Sequence, residues 1–289
     1  MNLTKSFGAS LILCAWMLPI SLTAQQINKM ETSKTTGYAP VNGLKMYYEI
    51  HGNGTTPLVL IHGGGSTIET SFGNILPLFA AHHKVIAVEL QAHGRTNDRD
   101  SPESFEQDAD DVAALLRYLK VDKANILGFS NGGTTTLQIA IRHPEVVNKI
   151  IVVAGAYQRE GFITGFFEGM QHATLDNMPQ QLKVAYEKVA PDKTQLIVMF
   201  KKDKQRMIDF KDIPDQSVQS IKAPALFMVA DKDVITIEHT VRMSKLVPVA
   251  ELAVLPGGHG SYIGEVGSIK AGSKLPEVTV ALVGEFLEK

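Results

Sequence analysis

The sequence predicts an α/β fold: a mostly parallel central sheet with helices on both faces and an inserted helical cap. Three observations carry this expectation. Short apolar β-type runs alternate with helical segments up to about residue 155 and again from about 221 to the end, the pattern of a parallel sheet covered on both faces. Between 156 and 220 the rhythm stops, and the chain becomes rich in Phe, Met, Gln and Lys with helical character. The composition, 44% hydrophobic and 20% charged over 289 residues with a formal charge of -2, suits a globular protein with a sizeable core. Lys and Arg are scattered rather than gathered on a stripe, so no nucleic-acid partner is expected.

The first stretch, "MNLTKSFGASLILCAWMLPISLTAQQ", places Lys5 before an apolar core at Leu11 to Ile20 and Ala24 before a polar Gln pair. That is the pattern of a secretory signal peptide over residues 1–24. Its core is shorter than the roughly 20 residues that span a bilayer, and Pro19 interrupts it. The expectation is therefore an exported protein, periplasmic or secreted, with no stable membrane insertion after cleavage. Cys14 and Trp16, the only Cys and Trp, both lie in this stretch. The mature chain is then expected to have no disulfide, cysteine nucleophile or thiolate metal site.

A core over 25–155 and 221–289 follows element by element. "LKMYYEIHG" (44–52), "TPLVLIHGGG" (56–65) and "HKVIAVEL" (83–90) read as strands, with a helix around Ile75 to His82. The segment "SPESFEQDADDVAALLRYLKV" predicts a helix with Ser101 as N-cap and Pro102 at its first position, and its acidic early turns suit the helix dipole. Val112, Leu115, Leu116 and Leu119 give it an apolar face. A strand over 124–129, a helix over 131–143 and a strand over 148–155 come next. After the cap insertion, 156–220, come a strand over 223–230, a helix over 237–246 capped by Thr236, a strand over 250–258 and a closing helix from Pro276.

Gly128-Phe129-Ser130-Asn131-Gly132 is G-x-S-x-G between a strand and a helix, the context of a nucleophile elbow. Glycines let strand and helix approach closely while Ser130 projects from a strained turn. A phosphate-binding loop would need a G-x-G-x-x-G or a P-loop lysine, and neither is here. A serine nucleophile needs a base, an orienting acid and an oxyanion hole. His62-Gly63-Gly64-Gly65 ends a strand as an HGGG-type loop, so backbone N–H groups of Gly64, or Gly63, and of Asn131 are the expected oxyanion donors. His62 reads as a structural residue of that loop. The base is expected at His259, in the Gly-rich loop after the last strand.

For the acid, Asp231 and Asp233 both follow the strand "ALFMVA". Asp231, at the strand end, reads as a turn former bonding its own backbone two residues on. Asp233 lies beyond that turn and before the next helix, where a carboxylate can reach the neighbouring loop.

These motifs, "GFSNGG", "HGGGS", "IRHPEVVNKIIVVAG", "ADKDVI" and "LPGGHG", occur in one order, and the chain from about Tyr38 onward resembles the α/β-hydrolase fold superfamily. "ELQAHGRTNDRD" and the helix after it resemble the bacterial branch of serine esterases, haloperoxidase-like perhydrolases and C–C bond hydrolases. The resemblance implies a triad of Ser130, Asp233 and His259 in that chain order, with the acid at the fourth residue of Ala230-Asp231-Lys232-Asp233. It implies an exported hydrolase that cleaves a small ester, lactone or related acyl compound through an acyl-enzyme on Ser130. The alternatives are a C–C bond hydrolase or cofactor-free perhydrolase on the same triad, and a non-catalytic ligand-binding homologue. The last normally loses a triad member, and here none is missing. No cofactor is implied, and no metal motif such as H-E-x-x-H appears. The implied partner is a small-molecule acyl substrate.

In the cap, Phe162, Phe166, Phe167 and Met170 recur at helical spacing. Two readings stand: a substrate pocket, with Phe166 and Phe167 as its walls, or a packing surface against the core.

Overall fold

The structure is a computed structural model that describes Met1 and residues 34–289. The expected signal peptide, 1–24, lies outside the described residues. No helix among the described residues is long and apolar enough to cross a membrane.

Eight strands form one sheet: β1 (Lys34–Val41), β2 (Leu44–His51), β3 (Leu58–Ile61), β4 (Val85–Val88), β5 (Ala124–Phe129), β6 (Val147–Val153), β7 (Ala225–Lys232) and β8 (Ala250–Gly258). Their spatial order is β1-β2-β4-β3-β5-β6-β7-β8. Only the β1–β2 and β2–β4 pairings are antiparallel; every other pairing is parallel. The β1–β2 hairpin turns on Asn42 (φ 46) and Gly43 (φ 86), an Asn-Gly pair whose positive φ values match the twist of the strands.

The core has two sides because successive side chains on a strand point to opposite faces. Val59, Ile61, Ile86, Val88 and Ile126 face one layer, while Leu58, Leu60, Val85, Ala87 and Leu127 face the other. The first layer is built on α3 (Phe105–Tyr118) and α4 (Asn131–Arg142), the second on α1 (Ile68–Phe72) and α2 (Leu76–Ala80). Between β6 and β7 lie α5 (Phe166–His172), α6 (Gln180–Val189), α7 (Leu196–Ile208) and α8 (Asp215–Gln219). Of these four, α8 packs against α4 and against α9 (Ile237–Leu246). The closing helix, α10 (Leu275–Glu288), completes the second layer.

Two helix starts contrast. Thr236 caps α9 as expected, accepting from the His239 N–H. The cap of α3 is Ser104 instead of Ser101, and Ser104 Oγ accepts from the Gln107 N–H. Ser101 is held outside the helix because its carbonyl accepts from Gln91 Nε2 (3.1 Å) and Lys202 Nζ (2.8 Å).

The sheet order reverses at β3, since β4 lies on one side of it and β5 on the other. Open α/β sheets bind ligands at such a point, outside the carboxyl ends of the strands. The loops after β3, β5, β7 and β8 meet there.

Candidate active site

Ser130 sits between β5 and α4 at φ 55 and ψ -117, a conformation that non-glycine residues adopt at a cost. The flanking glycines are steric necessities. A side chain at Gly128 would overlap the Gly132 carbonyl, and one at Gly132 would overlap the Ile61 carbonyl of β3. The Ser130 N–H donates to Val153 O of β6 (2.8 Å), which fixes the elbow to the sheet while Oγ stays free of any helix-capping bond.

The loop after β8 brings His259 to this serine. Ser130 O–H donates to His259 Nε2 at 3.0 Å, and His259 Nδ1–H donates to Asp233 Oδ1 at 2.6 Å. The Asp233 carboxylate is fully buried and also accepts from the N–H groups of Ala230 and Ile235. A buried carboxylate beside Nδ1 selects the tautomer whose Nε2 can accept from serine. Phe129 packs against the imidazole with ring centroids 4.8 Å apart.

Asp231 does something other than the expected turn bond. It is exposed, and its Oδ1 accepts from the Gly257 N–H at 2.7 Å. β7 runs on through Lys232, but the register with β8 shifts between Ala230 and Lys232, so Asp231 has no ladder partner and its side chain reaches across to the end of β8 instead. One aspartate thus holds the end of β8, just before the histidine loop, and the other the histidine itself.

The loop after β3 sorts its N–H groups. Gly63 N–H donates to Ser71 Oγ (3.3 Å) and Gly65 N–H to Asp203, which removes Gly63 as a donor to a substrate. Among the described residues the N–H groups of Gly64 and Asn131 have no hydrogen-bond partner, and both residues line the cleft. His62 is structural: wholly buried, it donates Nδ1–H to Gly63 O (2.8 Å) and accepts from the Leu90 N–H (3.1 Å). Burial and the neighbouring His93 press its pKa down to about 3.

The cleft over Ser130 has a volume of about 340 Å³. Phe162, Phe166, Met170, Met178, Met199 and Met207 give it an apolar wall. Phe167 does not line it. Adjacent residues on a helix point about 100° apart, and Phe167 turns away to lie under the Arg159 guanidinium, 3.6 Å from its ring centroid. Phe162 precedes the helix and bridges to Ile235 instead, with Gly165 (φ 83) as the cap of α5. Phe166→Ala should therefore change acyl chain-length preference, while Phe167→Ala should lower the melting temperature and leave that preference unchanged. Competition assays across acyl lengths together with thermal melts check both halves.

Beside the cleft lies a buried charge cluster that sequence reading did not find. Asp203 and Arg206 come from α7, His93 from the segment after β4, Glu103 from the segment before α3, and Asp108 from α3. Asp203 pairs with Arg206 and, at 2.9 Å, with His93 Nε2. Arg206 also meets Asp108 at 2.6 Å and Glu103 at 3.7 Å. Burial alone would raise Asp203, but His93 and Arg206 outweigh it and hold the carboxylate well below its usual range. Burial pushes Glu103 up, and its two oxygens lack a hydrogen-bond partner among the described residues.

His93 donates from both ring nitrogens, to Gln91 O (2.7 Å) and to Asp203. Burial opposes its charge, yet Asp203 and Glu103 prevail over burial, Arg206 and His62 and raise its pKa from 6.5 to about 9. The folded state thus holds this proton more tightly than the unfolded chain, so the stabilisation is complete below pH 6.5 and disappears as pH rises through about 9. Melting temperature should decline over that interval, and His93→Gln should flatten the decline. An equal slope in wild type and variant would contradict this assignment.

Residues 56–188 match the family described as alpha/beta hydrolase fold. The human serine hydrolase BPHL is 28% identical over 246 residues, which cover 78% of this chain and 80% of that protein. Several other relatives are matched over only 34% to 63% of their length. Among solved structures, a serine hydrolase involved in carbazole degradation superposes with a TM-score of 0.72 at 22% identity, covering 89% of this chain and 99% of that one. The enol-lactonase from Burkholderia xenovorans LB400 gives 0.67 at 20% identity, covering 87% and 100%. The strand order, the strand-end site and these similarities show that the chain has the α/β-hydrolase fold.

Proposed function

We propose that the chain is a serine hydrolase that cleaves a small, uncharged, apolar ester or lactone through an acyl-enzyme on Ser130. The observation that carries this reading is the continuous line from Ser130 Oγ to His259 Nε2 (3.0 Å) and from Nδ1 to Asp233 (2.6 Å), set at an apolar cleft. In this reading Ser130 Oγ attacks the carbonyl carbon as its proton passes to His259 Nε2, and Asp233 stabilises the resulting imidazolium. The N–H groups of Gly64 and Asn131 donate hydrogen bonds to the developing negative oxygen. The leaving alcohol departs with the proton from Nε2. Water then attacks the acyl carbon, passing a proton to His259 Nε2; the bond to Ser130 Oγ breaks as His259 returns that proton to Oγ, and the carboxylic acid product leaves. A lactone follows the same course with its alcohol still tethered to the acyl group.

Preference for an uncharged substrate rests on the cleft's electrostatics. Lys204 lines it, but its Nζ is bound by the carbonyls of Gln171 (2.9 Å) and Ala173 (2.7 Å). Among the described residues no other lysine or arginine lines the cleft. Turnover of short-acyl p-nitrophenyl esters, lactones and peptide arylamides, measured side by side, tests the reading. Esters or lactones should be cleaved and arylamides spared; no turnover of either ester or lactone would reject it.

Export is part of the proposal, supported by Lys5, the apolar run and Ala24. N-terminal sequencing of the protein from its native compartment should begin at Gln25.

A further inference from the structure

We propose that Asp203 is a positioning residue for the oxyanion hole, so that the cap helix α7 sets the oxyanion donors of the core. This inference rests on the serine-hydrolase reading above. Asp203 accepts four hydrogen bonds, and two come from the neighbours of the proposed donors. One oxygen binds the Gly65 N–H, the residue after Gly64, together with His93 Nε2. The other binds Asn131 Nδ2 at 3.3 Å, from the residue whose own backbone N–H is the second donor, together with Arg206.

Gly64 itself is pressed against this strut. A Cβ there would lie 2.5 Å from Asn131 Nδ2 and 3.3 Å from Asp203 Oδ2, so the backbone of Gly64 rests on the two side chains that Asp203 ties together. The strut is anchored on both sides. Arg206, one turn along α7, is fixed by Asp108 of α3, and His93 is fixed by Gln91 O. Oxyanion donors stabilise a transition state only when their direction is set in advance, and all four acceptor contacts of Asp203 serve that direction. None of them places the carboxylate on the reacting serine, so its effect passes through Gly64 and Asn131.

The test is steady-state kinetics of Asp203→Asn on p-nitrophenyl acetate, with inhibition by an alkyl trifluoromethyl ketone. That ketone accepts the serine oxygen and leaves an oxyanion in the hole. The variant should lose roughly 10- to 100-fold in kcat, somewhat less than deletion of a donor, with KM nearly unchanged. Its affinity for the ketone should fall by a similar factor. Met243→Ala, on α9 in the core layer shared with α3 and α4 and in no hydrogen-bond contact with Asp203, controls for lost stability: it should lower the melting temperature without moving kcat. A folded Asp203→Asn with wild-type kcat and ketone affinity would overturn the inference. If Asp203→Asn does not fold, Asn131→Ala decides, because it cuts the strut and keeps the backbone donor. A lower kcat at unchanged KM supports the proposal and a wild-type kcat rejects it. Failure of the underlying reading would look different, as wild-type protein without ester turnover.

Discussion

Ser130→Ala should abolish turnover, lowering kcat on the order of 10⁴ to 10⁶-fold, and His259→Ala should do the same. The double variant should be no worse than either single one, because members of a triad act as a unit. Folding should survive in each case. Ser130 Oγ bonds only to His259 and caps no helix, and Ser130 already carries the positive φ that alanine would inherit. His259 is partly exposed on its loop and bonds only to its two partners. Circular dichroism and melting curves beside the kinetics separate loss of chemistry from loss of fold. Activity close to wild type in either variant would contradict the assignment.

Asp233→Asn should lower kcat on the order of 10⁴-fold with the fold retained. An asparagine in the buried Asp233 position can present its N–H₂ to the ring, which favours the tautomer with the proton on Nε2. That tautomer cannot accept the Ser130 proton. Asp231→Asn should be mild by comparison, since an asparagine oxygen can still accept from the Gly257 N–H. The reverse ranking would mean that the wrong carboxylate has been given the orienting role. The two substitutions are chemically identical and two residues apart, so the comparison isolates which carboxylate faces the imidazole.

Much of the frame is legible from local pattern because it follows local physics. Strands such as β3 and β5 are short apolar runs buried on both faces, and α9 has an N-cap at Thr236 and the predicted extent. The G-x-S-x-G elbow is readable because a strand, a sharp turn and a helix must follow one another in sequence. β1 was not legible: most of its residues are exposed or half-buried, and it gains its state from pairing with β2. The five-residue α1 is too short to show a period. Ser101 has the chemistry of an N-cap, but Gln91 and Lys202 claim its carbonyl, and neither is near in sequence. The same limit explains the Phe167 outcome. Helical spacing says which residues share a stripe, and only tertiary packing says that Phe166 faces the cleft while Arg159 covers Phe167. The Asp203 cluster was hidden for the strongest form of this reason. Its members at 93, 103 and 108 lie far in sequence from those at 203 and 206 on α7, and the nearest signal in sequence, an Asp and an Arg three apart on α7, is that of an ordinary surface ion pair.

The central claim is that Ser130 is an activated nucleophile, and covalent labelling tests it most directly. Native protein treated with a fluorophosphonate, then digested and analysed by mass spectrometry, should carry one adduct on the peptide containing Ser130. Ser130→Ala should carry none, and labelling of His259→Ala should be slowed by orders of magnitude. Absence of an adduct on the folded wild-type protein, or an adduct on a different residue, would contradict the account.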